Sequence, residues 1–313
     1  MFRRLRELMN TRKFHPVWIA LPALAGVAVG GAIWWLSETA VRDTAPQEPR
    51  ARTAAPDAAR LPEPDAGEDG EKLQPARARA ARSFTPPAEA DLPRGDFGAT
   101  VKLGRDIFVD TQAHAKAYVG NGLNCVNCHL DEGRKADSAP LWAAYVKYPA
   151  YRDKNKKVNS YEERLAGCFR FSMNGKPPPY DSPEMVALVS YSYWLAQGAP
   201  TGAELPGRGY PKLEAPPQPP DDKRGAAVFA AHCALCHGAG GQGTQVNGRY
   251  AFPPLWGPDS YNGGAGMHRV DTAAAFIQAN MPLGKPKSLT VQQAWDVARF
   301  VNSHDRPPDP RKR

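Results

Sequence analysis

One five-residue pattern occurs twice in this 313-residue chain, at residues 125–129 and again at residues 233–237. The motif residues are Cys125, Cys128 and His129 in the first copy and Cys233, Cys236 and His237 in the second. C-x-x-C-H is the pattern of c-type haem attachment, in which both thiols bond to one porphyrin and the histidine binds its iron. A zinc site would instead need four ligands at matched spacing. The sequence therefore predicts two covalently bound haem c groups, each with its iron.

Length and composition favour two folded domains with additional unstructured segments. Single domains mostly contain about 100–200 residues, and this chain has 313. Its 32 Pro and 28 Gly, together with a negative mean hydropathy, predict that part of the chain is unstructured. The formal net charge of +8 suggests an anionic substrate or partner. Because no nucleic-acid-binding motif accompanies that charge, we predict no nucleic-acid partner.

A run of 20 apolar residues, 17–36, follows a basic segment, residues 1–16. As a helix this run would span about 30 Å, the thickness of the hydrocarbon layer of a membrane, and the basic flank predicts a cytoplasmic N-terminus. We therefore predict a single-pass anchor in the bacterial inner membrane, with the haem domains in the periplasm. The alternative is a cleavable signal peptide, whose apolar core usually has only about 7–15 residues. Trp34 and Trp35 resemble interfacial anchors and favour the first interpretation.

The segment after the apolar run, residues 37–95, is rich in Ala, Pro and charged residues. It has few large apolar side chains to offset the entropy of ordering, which predicts a disordered tether. A flexible chain of this length reaches about 40 Å, enough for the haem domains to move between partners. A spacer without such a role is the alternative.

The rest of the chain is predicted to be mainly α-helical, with two cytochrome c-like haem domains in tandem. Domain one covers residues 96–205 and would hold haem one, and domain two covers residues 221–305 and would hold haem two. Residues 206–220 are rich in Pro and Gly, which predicts an extended connection on the surface. Residues 306–313 are interpreted as a frayed tail.

Helix signals occur at both ends of each domain. In domain one, Asp96 is a candidate N-cap for a helix that presents Val101, Gly104, Ile107 and Phe108, and Ser182 begins another that presents Val186, Val189, Tyr193 and Trp194. In domain two, Asp221 or Asp222 caps a helix through Gly225 and Phe229, and Thr290 caps a final helix with Ala294, Val297, Phe300 and Val301. Each domain is therefore expected to cross a first and a last helix.

Each c-type haem leaves one axial position on the iron for a second protein ligand. For haem two, the candidates are Met267, His268 and Met281. Met281 is favoured because it lies in a loop just before the final helix, the position that supplies the methionine ligand in small cytochromes c. Met267 and His268 are interpreted as part of an exposed Gly-rich loop.

For haem one, the candidate second ligands are Cys168, Met173, Met185 and His114. Met185 falls on a helix pattern that favours the core, and His114 lies in a polar connection that favours the surface. Cys168 is the only cysteine outside the two motifs. A free thiol outside the cytoplasm is a liability unless it is used, and neighbouring arginines would lower its pKa toward the thiolate. The alternative is a small buried apolar side chain, which most free cysteines are.

The stretch from Asn124 to Gly175 resembles the thiosulfate dehydrogenases, dihaem cytochromes c in which haem one has His and Cys as axial ligands. The matching segments are Gly133–Lys135, Ala139–Trp142, Tyr148–Arg152, Glu163–Phe169, Ser172–Gly175 and, in domain two, Ala279–Gly284. The likeness covers both haem domains, about two thirds of the chain. It implies an enzyme that joins two thiosulfate ions into tetrathionate and releases two electrons, although some members work mainly in reverse.

The resemblance also implies roles for individual residues. Cys168 would be the ligand of haem one, opposite His129, and the catalytic thiol that holds the first thiosulfate as a covalent adduct. Arg164 and Ser172, one helical turn on either side of Cys168, would contact the substrate. Arg152 would do the same, as one of several cations in the basic run 152–157. Electrons would leave through haem two, with His237 and Met281 as ligands, to a periplasmic or membrane acceptor such as a cytochrome or a terminal oxidase.

Two other functions remain open at this point. The chain could be a membrane-tethered dihaem electron-transfer cytochrome without its own substrate, which accounts for the anchor, the tether and both haems but gives Cys168 no role. It could also be a thiol-ligated cytochrome that acts on a protein-bound sulfur substrate. Replacing Cys168 would distinguish the first of these from an enzyme, because a shuttle would still pass electrons.

Overall fold

The computed structural model describes residues 84–312. The predicted anchor, residues 17–36, and most of the predicted tether, residues 37–95, lie outside the described residues. Between residues 84 and 312, every helix is too short or too polar to cross a membrane.

The described chain is mainly helical, with two short antiparallel hairpins. The helices are α1 (Gly95–Val109), α2 (Thr111–His114), α3 (Leu141–Tyr145), α4 (Tyr161–Phe171), α5 (Pro183–Leu195), α6 (Asp222–His232), α7 (Ala234–His237), α8 (Val270–Asn280) and α9 (Val291–Ser303). The hairpins are β1 (Ala150–Arg152) with β2 (Lys157–Asn159) and β3 (Thr244–Val246) with β4 (Arg249–Phe252). Short 3₁₀ helices occur at Glu89–Asp91, Lys116–Tyr118, Cys125–Asn127, Asp131–Gly133, Gly266–His268 and Pro310–Lys312.

Domain one is built on the predicted crossing of its first and last helices, α1 and α5. The four residues predicted for the buried face of α1 are all buried. At the crossing, a Cβ on Gly104 would lie 2.0 Å from the carbonyl oxygen of Ala187, so only glycine allows this approach. The helix begins at Gly95, which places Asp96 in the first turn instead of at the predicted N-cap position.

Helix α5 begins as predicted, with the Ser182 hydroxyl accepting a hydrogen bond from the Met185 N–H. Its predicted buried face is wrong in part, because Val186 and Tyr193 are 46% and 45% exposed while Trp194 is buried. The buried residues are Met185, Ala187, Leu188, Tyr191, Ser192, Trp194 and Leu195. Apolar residues occur all round this helix, so the pattern alone does not select a face, and packing against α1 and α3 does.

Domain two repeats the crossing with α6 and α9. Asp221, one of the two predicted caps, accepts a hydrogen bond from the Arg224 N–H, and Thr290 caps α9 by accepting one from the Gln293 N–H. A Cβ on Gly225 would lie 2.2 Å from the Asp296 carbonyl oxygen, which again requires glycine at the crossing.

Residues 206–220 contain no helix or strand and contact both domains. Gly207 accepts a hydrogen bond from the Asp137 N–H of domain one at 2.8 Å, and Glu214 accepts one from the Trp295 indole of domain two at 2.8 Å. The connection is therefore held to each domain along its length.

Two segments that the sequence assigns to flexible regions are packed. Within the predicted tether, the Phe84 ring lies 5.3 Å from the Trp142 ring, and the Pro87 carbonyl accepts a hydrogen bond from Arg134. In the predicted frayed tail, Arg306 donates to the Val301 carbonyl at 2.6 Å and stacks on the Tyr261 ring. These contacts hold Phe84, Pro87 and Arg306 against the folded domains. No local sequence pattern indicates them, because most of them join residues far apart in the chain.

Candidate active site

The two motif histidines are oriented alike. Nδ1 of His129 lies 2.7 Å from the Ala139 carbonyl oxygen, and Nδ1 of His237 lies 2.8 Å from that of Pro253. A carbonyl only accepts, so Nδ1 carries the proton and Nε2 keeps its lone pair, the arrangement found in metal-ligating histidines. Burial lowers the pKa of His129 to about 4 and also lowers the pKa of His237, so both rings are neutral.

Burial favours the protonated thiol at three of the motif cysteines before haem is attached. Burial raises the pKa of Cys125 and of Cys128 to about 12 and that of Cys233 to about 11. The Thr111 hydroxyl lies 3.4 Å from Sγ of Cys125 and accepts a hydrogen bond from its N–H, which fixes the start of the first motif. Paired thiols beside a neutral, oriented imidazole fit covalent attachment of haem c at both motifs.

A cavity of about 220 Å³ opens beside the second motif. Its lining is mostly apolar and includes the motif residues Cys233, Cys236 and His237, and both candidate methionines, Met267 and Met281. Met281, the predicted ligand, is therefore positioned at this cavity. The interpretation of Met267 as part of an exposed loop is wrong, because the 3₁₀ helix Gly266–His268 packs on the core. His268 does not line the cavity.

The same cavity reaches the first motif. Val126, Asn127 and Cys128 of domain one line it together with the second motif. The two haem attachment sites are therefore neighbours across the domain boundary, a relationship that the 108-residue spacing of the motifs in the sequence (125 to 233) does not reveal.

Cys168 lies on α4, which begins with a capping box. The Ser160 hydroxyl accepts from the Glu163 N–H at 3.2 Å, and the Glu163 carboxylate accepts from the Ser160 N–H at 2.9 Å. Counted from this start, Arg164, Cys168 and Phe171 follow the i, i+4, i+7 spacing of one helix face. Nη1 of Arg164 donates a hydrogen bond to Sγ of Cys168 at 2.8 Å.

The Arg164–Cys168 pair interacts electrostatically with the first haem motif. The charge of Cys168 raises the pKa of the Arg164 guanidinium further above its ordinary value. Burial is the main cause of the pKa shifts in the first motif. Arg164 adds to the lowering at His129, and Cys168 adds to the raising at Cys125 and Cys128. These groups therefore lie close enough to interact electrostatically.

The other candidate ligands of haem one take different positions. Met185 is fully buried in the core and His114 is exposed, as the sequence predicts. Met173 is also buried, two residues beyond the end of α4, where its N–H donates to the Cys168 carbonyl at 3.0 Å.

No sequence pattern indicates the two tyrosines near the thiol, Tyr161 and Tyr210. The Tyr161 hydroxyl donates to the Ser192 hydroxyl at 2.9 Å, and the Tyr210 hydroxyl lies 3.4 Å from the Cys128 carbonyl oxygen. Burial raises the pKa of both phenols, so both are neutral. Tyr210 belongs to the connection between the domains, and nothing in its local sequence indicates that it reaches the first motif.

The cations of the basic run, residues 152–157, have different partners in the structure. Lys156 pairs with Asp153 at 3.2 Å and Lys157 pairs with Glu163 at 2.6 Å. Arg152 is the last residue of β1. Its charge helps to lower the pKa of Lys154, although burial and Arg311 contribute more.

Ser172 follows the last residue of α4. Its N–H donates to the Cys168 carbonyl at 2.9 Å, and its own carbonyl accepts from the Asn121 side chain at 2.8 Å. The residue implied to contact substrate is therefore held one turn beyond the thiol by its backbone.

The helical domains, the paired motifs and the oriented histidines define a dihaem c-type cytochrome. Residues 111–201 match the family model described as SoxA/TsdA, cytochrome c domain. Residues 220–301 match the model described as cytochrome C oxidase, cbb3-type, subunit III. Both haem regions are therefore cytochrome c domains, and the chain carries two haem c groups.

Relatives over most of the chain identify the family. A protein of Stutzerimonas stutzeri named thiosulfate dehydrogenase is 61% identical over 73% of this chain and 74% of its own length. One of Thiomonas intermedia with the same name is also 61% identical, over 73% of each chain. The chain belongs to the thiosulfate dehydrogenase family, which makes it an oxidoreductase.

A solved structure supports the same assignment. The "as isolated" form of the thiosulfate dehydrogenase TsdBA of Marichromatium purpuratum is 54% identical, with a TM-score of 0.71 over 75% of this chain. This chain spans about half of that one, 52% of its length.

Proposed function

We propose that this protein oxidises thiosulfate, joining two ions into tetrathionate with the release of two electrons (2 S₂O₃²⁻ → S₄O₆²⁻ + 2 e⁻), with Cys168 as the catalytic thiol. The observation that carries this is the hydrogen bond from Arg164 to Sγ of Cys168, at 2.8 Å, on a helix beside the first haem motif. The names of the relatives, thiosulfate dehydrogenases at 61% identity, supply the substrate.

Arg164 has two tasks in this reaction. Its guanidinium is a planar fork with five N–H donors, so one lobe can hold the sulfur of Cys168 while others face the sulfonate oxygens of thiosulfate. Bringing two dianions together costs electrostatic repulsion, which a fixed cation offsets. Arg152, at the end of β1, adds positive charge, and Ser172, one turn beyond Cys168, is positioned to donate a hydrogen bond to the substrate.

The thiol is the nucleophilic group of this proposal. Formation of the S–S bond between Sγ of Cys168 and the outer sulfur of the first thiosulfate removes two electrons, which the two haems would accept when bound. The second thiosulfate then attacks that outer sulfur, which releases tetrathionate and leaves the Cys168 thiolate. The opposite direction, reduction of tetrathionate, uses the same adduct.

The haem groups fit this scheme through residues already described. We propose His129 and Cys168 as ligands of the first iron and His237 and Met281 as ligands of the second. When bound, the two haems supply two one-electron carriers, matching the two electrons released. The shared cavity between the motifs favours transfer from domain one to domain two.

We also propose that residues 17–36 anchor the protein in the inner membrane and that the haem domains work in the periplasm, with a cytochrome or terminal oxidase as electron acceptor. The support is the apolar run of bilayer-spanning length behind a basic segment. Protease treatment of spheroplasts tests this placement. Because spheroplasts lack the outer membrane but keep the inner one, added protease should cleave the haem domains from them.

The first experiment is thiosulfate-dependent reduction of the full-length, haem-loaded protein, followed in the visible spectrum and by assay of tetrathionate. Wild type should be reduced and Cys168→Gly should not. Because glycine weakens helices by about 1 kcal/mol, Cys168→Ala is the matched variant that removes the thiol but keeps the helix. Reduction of both variants at the wild-type rate would show that Cys168 is not the catalytic thiol. If thiosulfate does not reduce the wild type and tetrathionate does not oxidise the reduced wild type, the electron-transfer cytochrome without its own substrate is favoured.

A further inference from the structure

Two cations lie against one aromatic ring next to the thiol. Nζ of Lys154 is 4.5 Å from the centre of the Phe171 ring, and the guanidinium of Arg311 is 4.9 Å from it. Phe171 follows Cys168 by three residues on α4, so both lie on one face of the helix, with Cβ atoms about 5–6 Å apart. The two cations therefore contact a ring on the helix face that carries Cys168.

Three distant segments meet to hold this pair. Lys154, in the turn between β1 and β2, donates to the Gly264 carbonyl at 2.7 Å. Arg311, in the C-terminal segment, is fixed by Asp309, with Nε 3.0 Å from Oδ1. A Cβ on Gly264 would lie 2.7 Å from the Phe171 ring and 2.8 Å from the Asp309 carboxylate, so the close approach depends on glycine.

The cluster has an excess of positive charge. Burial is the main cause of the lowered pKa of Lys154. The nearby charges of Arg311, Arg152 and Arg164 lower it further. The nearby carboxylate that opposes them, Asp309, is bound to Arg311 by two hydrogen bonds. A single cation–π contact at an exposed site contributes about 0.5–1 kcal/mol, which does not explain why a second cation lies against the same ring. An anion bound between them would offset the repulsion.

The cluster is open to solvent. Both Lys154 and Arg311 are exposed side chains, whereas Arg164 lies deeper beside the first motif. An anion arriving from solution would meet the outer pair before the thiol.

We propose that Lys154 and Arg311 form an entry site for sulfur oxyanions, which holds the sulfonate of the incoming thiosulfate beside Phe171 and directs its outer sulfur to Cys168. This inference rests on the proposed function for its substrate. The pair positions the substrate and takes no part in bond formation. The C-terminal segment is thus part of the substrate site.

The test uses the full-length, haem-loaded protein and variants that separate charge from packing. Lys154→Gln, Arg311→Gln and the double variant remove charge, while Lys154→Arg and Arg311→Lys keep it. Lys156→Gln is the control, because it removes the same charge from the same turn, where Lys156 pairs with Asp153 and its side chain is 73% exposed. We expect each charge-removing substitution to raise KM for thiosulfate about threefold to tenfold at low salt, with kcat near the wild-type value.

A second readout does not depend on turnover. Alkylation of Cys168 by the anion iodoacetate is compared with alkylation by neutral iodoacetamide of similar size, followed by mass spectrometry. The ratio of the two rates cancels changes in the availability of the thiol. We expect the ratio to fall about threefold to tenfold in the charge-removing variants and to stay at the wild-type value in Lys156→Gln.

Three results would overturn the inference. Equal effects in Lys156→Gln and Lys154→Gln would indicate only the general charge of the surface. Equal losses in Lys154→Arg and Lys154→Gln would indicate a structural role. An unchanged ratio and KM in the double variant would exclude the pair from substrate entry.

If wild type fails to oxidise thiosulfate, the proposed function is wrong, and the alkylation ratio alone decides on the entry site.

Discussion

Arg164 donates a hydrogen bond from Nη1 to Sγ of Cys168 at 2.8 Å, from one turn earlier on the same helix. The contact is local in sequence, but its role depends on its surroundings, because the charges of this pair act on residues of the first haem motif. It joins a cation, a thiol and a haem attachment site.

Replacing Arg164 should lower catalytic efficiency. Arg164→Gln removes a charged donor from both the thiol and the substrate, and we expect kcat/KM for thiosulfate to fall about ten- to hundredfold. Arg164→Lys keeps the charge but loses the planar fork, so its kcat/KM should lie between those of wild type and Arg164→Gln. Arg170→Gln is the control, since Arg170 is exposed on the same helix. Steady-state kinetics measure all three, and an equal loss in Arg170→Gln would argue against a specific role.

The two methionines of the domain-two cavity should differ in their effect on the second haem. We expect Met281→Leu to abolish the methionine-to-iron charge-transfer band of the oxidised protein and to lower the potential of that haem, because thioether ligation favours the reduced state. Met267→Leu, which lines the same cavity, should keep the band. The reverse pattern in the visible spectra would identify Met267 as the ligand instead.

Glycine at the helix crossing of domain one should be required for stability. A Cβ on Gly104 would lie 2.0 Å from the Ala187 carbonyl oxygen, so Gly104→Ala must separate α1 from α5. We expect the free energy of unfolding to fall by about 1–3 kcal/mol, or more, in urea titrations of the haem-loaded protein. Gly266→Ala is the control, because a Cβ there would meet nothing within 4 Å. Similar stabilities of the two variants would contradict the packing argument.

The C-terminal segment should show a pH dependence in the acid range. Hydrogen bonds from Arg311 lower the pKa of Asp309 to about 2 from its ordinary value of 3.8. The carboxylate therefore stabilises the folded protein fully above the ordinary value, and this contribution is lost as pH falls toward 2.

Asp309→Asn tests this directly. The difference in free energy of unfolding between wild type and the variant should be constant above about pH 5 and shrink toward pH 2. Limited proteolysis should also cut the C-terminal segment of the variant faster. A difference that does not change with pH would show that Asp309 does not act through its charge.

The sequence alone determined the features that depend on short stretches of chain. The haem motifs are five residues long, and the helix caps at Ser182, Asp221 and Thr290 are set by bonds to N–H groups three residues away. Cys168 is the only cysteine outside the motifs, and it stood out by composition. Two cytochrome c domains and a thiol-containing site followed from these observations.

Only the tertiary structure decided what depends on residues distant in the chain. Lys154, Lys156 and Lys157 are close in the sequence but have different partners in the fold. The fold also brings Tyr210 to the first motif and packs the C-terminal segment against Phe171. Lys154 and Gly264 are 110 residues apart, and their contact depends on how the two domains pack. No local pattern encodes such a contact, because its stability comes from surfaces that form only when the whole chain has folded.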